Sequence, residues 1–235
     1  IGPMQFPNPL VKAQLVRRYK RFLTDAKLES GEIVSAHCAN PGSMIGLTEP
    51  GAEIWLSPAQ NPQRKLRWSW EMIRVGKSLV GINTLHPNKI VFDAIAKNLI
   101  PEVEGYKNMR REVKYGKSSR IDIFLEDPEK GACFVEVKNV HLKRNAGAEF
   151  PDSVTARGTK HLFELRNMVS QGHRAVMLYL VQREDCKDFR IAGDIDPKYH
   201  SAFETALDSG VEALCYSCQL QPSSIEIGRS LRIVR

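Results

Sequence analysis

Residues 120–139, RIDIFLEDPEKGACFVEVKN, constrain what this chain can fold into more than any other stretch. Two runs of alternating character, 120–126 and 132–138, flank a turn-rich centre of Asp127, Pro128, Glu129, Lys130 and Gly131. β-Branched and aromatic residues on both sides of a Pro/Gly-bearing loop predict a hairpin. Side chains alternate faces along a strand, so Asp122 shares a face with Phe124 and Glu126, and Phe134 with Glu136 and Lys138. Val135 and Val137 then point the other way. Centring the turn on Glu129 sets Asp122 opposite Glu136. Opposed Cβ atoms lie about 5 Å apart and like charges there repel, so the pair calls for a cation. Mg²⁺ or Mn²⁺ suits carboxylate oxygen, and Lys138 on the same face is placed to meet a phosphate oxygen or a water. The plainer alternative is a solvated Glu136–Lys138 ion pair worth roughly 0–1 kcal/mol. Spacing alone leaves both open.

The 235 residues suffice for one large domain or two small ones, and 42% hydrophobic with 26% charged residues is ordinary for a globular protein. The longest apolar run, 175–181, has seven residues, far short of the roughly 20 that span a membrane. No charged-then-apolar signal segment precedes the fold, and Ile1-Gly2-Pro3 ahead of Met4 reads as a cloning remnant. Five scattered cysteines argue against a disulfide framework and for a reducing cytoplasm. Cys215 and Cys218 form a CxxC without a second pair for zinc, which reads as two buried thiols in an apolar strand. The net charge of +7 is uneven: residues 1–84 carry 11 Lys/Arg against 6 Asp/Glu, and residues 85–235 carry 23 against 21. A basic excess suits a polyanion partner, and equally plain solubility.

Residues 10–84 read as β. A strand over 10–21 runs into Arg17-Arg18-Tyr19-Lys20-Arg21-Phe22, cations interleaved with rings, which suits a nucleic-acid surface or a solvated strand face. Further strands are expected at 32–39, 52–57 and 66–75, with a turn-rich loop at 39–44 and a basic loop carrying Arg64, Lys65 and Arg67. Trp68 and Trp70 share a face and read as core. Short strands between turns predict a small barrel of the OB type.

The texture changes after Asn83. Asn88 is a candidate N-cap for a helix over 90–99 that Pro101 ends. A strand over 110–115 follows, whose Glu112 offers one more carboxylate, and then the hairpin. Residues 142–152 read as a loop, and 155–170 as the strongest helix, with Leu162, Leu165 and Val169 on one face and Arg157, Lys160, His161 and Glu164 on another. Its N-terminus favours anions. The apolar run 175–181 predicts a strand buried on both faces, followed by a helix over 197–209 and strands at 212–216 and 224–227. Strands with helices between them make this part α/β. The expected domains are 4–84 and 85–235.

These residues resemble a known family. Asp122…Glu136-x-Lys138, with Arg157 and Lys160-His161 on the next helix, resembles the PD-(D/E)-x-K restriction-endonuclease-like superfamily. Nearly the whole chain is similar to the bacterial sugar fermentation stimulation proteins, through Arg18-Tyr19-Lys20-Arg21-Phe22-Leu23, His37-Cys38-Ala39-Asn40-Pro41-Gly42-Ser43-Met44, Val113-Lys114-Tyr115-Gly116, Ser119-Arg120-Ile121-Asp122, Val135-Glu136-Val137-Lys138 and 150–162. Ile121 stands where the superfamily has proline. The resemblance implies an N-terminal OB-like β-barrel, a restriction-endonuclease-like mixed-sheet α/β domain, and DNA as partner. It further implies Asp122, Glu136 and the Val137 carbonyl as ligands of Mg²⁺ or Mn²⁺, with Lys138 completing a nuclease site. Arg17, Arg18, Lys20, Arg21, Arg64, Lys65, Arg67, Arg157, Lys160 and His161 would then hold the DNA backbone. A non-specific DNA-binding regulator of sugar-utilisation genes with a weak or inactive site is the alternative. Oligomeric state stays open, a homodimer included.

Overall fold

The computed structural model describes residues 4–235, so the Ile1-Gly2-Pro3 lead lies outside the described residues. Strand β1 (Met4–Gln5) is followed by β2 (Val11–Tyr19), β3 (Leu23–Leu28), β4 (Ile33–His37), β5 (Glu53–Pro58), β6 (Trp68–Val75) and β7 (Ser78–Gly81). Strands β2 to β7 form one sheet in the order β4-β3-β2-β5-β6-β7, and a parallel β4–β6 pairing closes five of them into a barrel. Closure leaves those five without a free edge. The barrel is filled by alternating inward side chains, among them Leu15, Ala26, Ile54, Leu56 and Trp70, all at most 1% exposed. Trp70 is core, as its face predicted, and its indole N–H donates to the Met72 carbonyl at 2.9 Å.

The remaining elements are α1 (Pro87–Ala96), a 3₁₀ turn (Pro101–Val103), β8 (Asn108–Tyr115), β9 (Ser119–Asp127), β10 (Gly131–Val140), β11 (Leu142–Arg144), β12 (Gly147–Phe150), α2 (Ala156–Ser170), β13 (Arg174–Val181), β14 (Phe189–Ile191), α3 (Pro197–Asp208), β15 (Glu212–Gln221), β16 (Ser224–Ser230) and β17 (Ile233–Val234). A seven-stranded mixed sheet runs β1-β16-β15-β13-β10-β9-β8, with β10, β13 and β15 parallel. Strand β13 is covered on both sides. Ala175, Met177, Tyr179 and Val181 pack with residues of α2 and α3, while Val176, Leu178 and Leu180 pack with residues of α1. That explains its uninterrupted apolar sequence.

Four expectations need correction. The strand foreseen over 10–21 is β2 and ends at Tyr19; Lys20 and Arg21 turn the chain into β3, a strand the sequence pattern did not mark. Residues 142–152 contain the β11–β12 hairpin, paired from Leu142↔Glu149 to Arg144↔Gly147. Helix α1 begins at Pro87, with His86 in the N-cap position making no side-chain cap, so Asn88 lies inside the first turn and is not its cap. Proline at the first helical position is favoured because the missing N–H would be unpaired there anyway. Finally, β1 pairs with β16 and not with the barrel, so the unit expected over 4–84 gives its first strand to the larger sheet.

Candidate active site

The β9–β10 hairpin holds the register expected from the sequence, from Asp127↔Gly131 to Ile123↔Val135, and stops one step short of Asp122 and Glu136. On the other side of β9, pairing steps from Arg111↔Ile123 to Val113↔Ile121. Glu112, opposite Asp122 in that register, turns to φ 55° and is exposed, so it supplies no carboxylate to the cleft. Where the strands part, a cleft of about 720 Å³ opens, walled by β10, the start of α2 and barrel residues 40–42.

Asp122 and Glu136 face this cleft. Asp122 Oδ1 accepts from Asn88 Nδ2 at 2.9 Å, and Oδ2 accepts from the Val137 N–H at 2.8 Å. Glu136 is 3% exposed. Its Oε1 lies 2.9 Å from His161 Nδ1 and 3.4 Å from Lys138 Nζ, while its Oε2 is buried without a partner. Lys138 Nζ is also 2.8 Å from His161 Nδ1. A ring nitrogen either donates or accepts, so His161 Nδ1 serves Glu136 or Lys138 at any one time.

Burial, then the negative charge of Glu136, push the Asp122 carboxyl up to about 7, against the opposing pull of the Val137 N–H, Asn88 and Lys138. Burial also raises Glu136, but the His161 hydrogen bond and the Lys138 charge outweigh it and hold that carboxyl below its usual range. A buried and a half-buried carboxylate, one oxygen unpartnered and one group reluctant to ionise, make a donor set that fits a hard divalent cation. No group of three or more His, Cys, Asp or Glu side chains among the described residues is arranged for a metal. A cation here would complete its shell with backbone carbonyl or water oxygen.

The raised Asp122 group sets a pH dependence. Between about pH 4 and 7 the folded metal-free chain keeps a proton that the unfolded chain releases, so this contribution to stability declines as pH rises through that window. Glu136 acts in the opposite sense, at more acid pH. The expected result is a fall of about 1–3 kcal/mol in metal-free stability between pH 5 and 8 from Asp122. Millimolar Mn²⁺ should raise Tm more at pH 8 than at pH 5.5. Equal thermal shifts at both pH values would contradict this account.

The basic residues expected to hold DNA are spread widely. Arg21 and Arg157 are exposed and line the cleft from opposite domains. Arg17 is exposed but pairs with Asp25 at 2.9 Å and stacks on Tyr19. Arg18 is committed to structure: its guanidinium donates to the Asn40 and Gly42 carbonyls, both at 2.8 Å. Lys20 is exposed beside Arg21. Arg64, Lys65 and Arg67 lie apart from the cleft, Arg64 on Ser69 at 3.3 Å and Arg67 on the Asn61 carbonyl at 2.9 Å. Lys160 points to Ser118 at 3.1 Å and does not line the cleft. His161 lies in the cleft wall but is 5% exposed, with its Nδ1 turned to Glu136 and Lys138. Cys215 and Cys218 are buried free thiols, their pKa values raised by burial.

Sequence reasoning missed the residues that brace the cleft. Asn40 Nδ2 reaches His141 Nε2 at 2.7 Å, Ser43 Oγ donates to the Asp152 carbonyl at 2.5 Å, and the Met44 N–H donates to Asp152 Oδ2 at 3.1 Å. A Cβ on Gly42 would sit 2.6 Å from Asp152 Oδ1, so the loop needs glycine there. Burial, with Arg183 and Arg18 nearby, lowers the His141 pKa to about 4 despite Asp152, so the strut keeps a neutral imidazole. These partners are about 100 residues apart in sequence, and the quoted 37–44 and 150–162 stretches contain all of them except His141.

Residues 16–82 match the SfsA N-terminal OB domain, and residues 85–224 match the sugar fermentation stimulation protein RE domain. A "Sugar fermentation stimulation protein homolog" of Paramagnetospirillum magneticum is 57% identical over 97% of each chain. One from Rhodospirillum centenum is 57% identical over 98% of this chain and 99% of that one. The structure of Pyrococcus furiosus SfsA in complex with Ca²⁺ matches with a TM-score of 0.90 at 26% identity, over 100% of both chains. No helix among the described residues is long and apolar enough to cross a membrane.

Proposed function

This chain belongs to the sugar fermentation stimulation protein family, and we propose that it is a DNA-binding protein with a Mg²⁺- or Mn²⁺-dependent phosphodiesterase site. The observation that carries this reading is the Asp122–Glu136 pair, half-buried and buried respectively, with Glu136 Oε2 unpartnered and Lys138 beside it in the cleft. The complex of the Pyrococcus furiosus relative with Ca²⁺ supports divalent-metal binding in this family.

Asp122, Glu136 and the Val137 carbonyl would hold the ion, which would supply Lewis-acid polarisation of a phosphate and acidify water. Lys138 has three donors, of which one points to Glu136 and one to His161 in the tautomer whose Nδ1 accepts. The third serves a phosphate oxygen, where charge grows as the bond breaks. Arg21 and Arg157 grip the backbone from the two sides of the cleft without reading sequence. Plasmid and single-stranded DNA incubated with Mg²⁺, Mn²⁺ or chelator test the reading. Cleavage with metal that chelator stops is the expected result; DNA binding with no cleavage in either metal favours the regulator. The relatives' name, which records an effect on sugar fermentation, suits that second reading.

Phosphate contacts predict steep salt dependence, since each one releases counterions. Arg157→Ala should lower the slope of log K against log salt by about 1, as should Arg21→Ala. Fluorescence anisotropy across a salt series measures it, and a slope unchanged in both variants would remove them from the interface.

A further inference from the structure

We propose that Asn88 is a positioning residue that fixes the metal-facing Asp122 carboxylate, and that the barrel sets Asn88 in place through Glu71. The proposal deepens the nuclease reading and rests on it.

Asn88 occupies the first turn of α1, where an asparagine side chain ordinarily turns back to a free backbone N–H. Here its amide nitrogen instead donates to Asp122 Oδ1 at 2.9 Å, across the sheet edge. With the Val137 N–H on Oδ2, each Asp122 oxygen receives one hydrogen bond and keeps lone-pair capacity for a cation. Pairing along β9 lapses at Asp122 on both sides, so no ladder neighbour fixes this side chain. Asn88 and the Val137 N–H do so.

The start of α1 is itself held by the barrel. Glu71 on β6 is 4% exposed and gathers three partners around its carboxylate and a fourth on its backbone carbonyl. Oε1 accepts from Ser57 Oγ at 2.9 Å and from Asn83 Nδ2 at 3.2 Å, while Oε2 lies 3.1 Å from Asn83 Nδ2 and 2.6 Å from His86 Nε2. The fourth contact is through the backbone, where the Ile82 N–H donates to the Glu71 carbonyl at 3.0 Å. Asn83 Oδ1 in turn accepts from the Leu85 N–H at 2.9 Å. His86 is the residue from which α1 departs, two positions before Asn88. The linker between barrel and α1 is therefore fixed at both ends, and a shift of β6 moves the amide that holds Asp122. Residues that orient metal ligands in this way change affinity about 10–100-fold when removed.

The test is calorimetric titration of MnCl₂ into the full chain: wild type, Asn88→Ala, Glu71→Gln, and Lys89→Ala as a control on the same turn. Alanine is well tolerated in a helix, and circular dichroism checks that the Asn88→Ala fold is intact. Asn88→Ala is expected to weaken Mn²⁺ about 10-fold or more and to lower kcat with KM for DNA unchanged. Glu71→Gln, which shares no hydrogen bond with Asp122, should weaken Mn²⁺ in the same direction, and Lys89→Ala should bind as wild type. Wild-type affinity in Asn88→Ala would overturn the positioning role. Loss in Asn88→Ala but not in Glu71→Gln would overturn the barrel's part. A wild-type chain that takes no Mn²⁺ would overturn the nuclease reading beneath both.

Discussion

Lys138→Ala is expected to reduce metal-dependent DNA cleavage about 10²–10³-fold, the effect typical of removing one donor aimed at developing charge. Lys138 stands half-buried on the same strand face as Glu136, with its ammonium steered by His161 and Glu136. Alanine removes a donor and a positive charge but no proposed metal ligand. Mn²⁺ affinity should therefore survive, and rise if anything, because a like charge beside the ion is gone. Asp122→Ala provides the contrast: it takes away one of two carboxylates, so metal binding and cleavage should fall together. Single-turnover nicking of supercoiled plasmid, read beside a Mn²⁺ titration, separates the two outcomes. A Lys138→Ala protein that retains more than a tenth of the rate would remove this lysine from the chemistry.

The second large effect is on the fold. Glu71→Ala should cost about 3–5 kcal/mol, because it strips a buried carboxylate from partners that cannot find water in its place. Asn83, Ser57 and His86 would lose their shared acceptor at the junction between β5, β6 and the linker into α1. For a chain of this size the cost corresponds to a Tm lower by about 6–15 °C. Circular dichroism melts in metal-free buffer at pH 7 measure it, and a change under 2 °C would show that the junction is not braced by this residue.

Much of this architecture was legible where the signal is local. The β9–β10 hairpin combines strict alternation with a Pro/Gly turn, so its register followed from residues 120–139 alone, and Asp122 and Glu136, one step past the last pair, share one cleft. The two missed hairpins share a cause. Lys20 and Arg21, and likewise Asn145 and Ala146, all take positive φ, between 51° and 67°. None is glycine, the residue that normally marks such turns. Without that mark, the turn after β2 read as more strand, β3 went unmarked and β11–β12 passed for a loop. The role of Asn88 was illegible for another reason: an asparagine after His-Pro is locally a good cap, and only the approach of β9, more than 30 residues away, gives its amide a different partner. His161 misled similarly, since a helix face that presents Arg157 and Lys160 to solvent turns its histidine inward to Glu136. Buried braces such as Asn40–His141 depend on packing between units, which periodicity along one chain cannot express.

The pairing of Met4 and Gln5 with Ile225 and Ser224 places the barrel, topologically, inside the other domain. Its strands are spliced between the outermost strand of the large sheet and that sheet's first helix. Excision at residue 85 would thus not release a finished unit. It would uncover the outer edge of β16, whose unpaired N–H and C=O groups invite another chain to add a strand. A clean separation of the two domains calls for a loop joining residue 9 to residue 84, with the first strand kept in place.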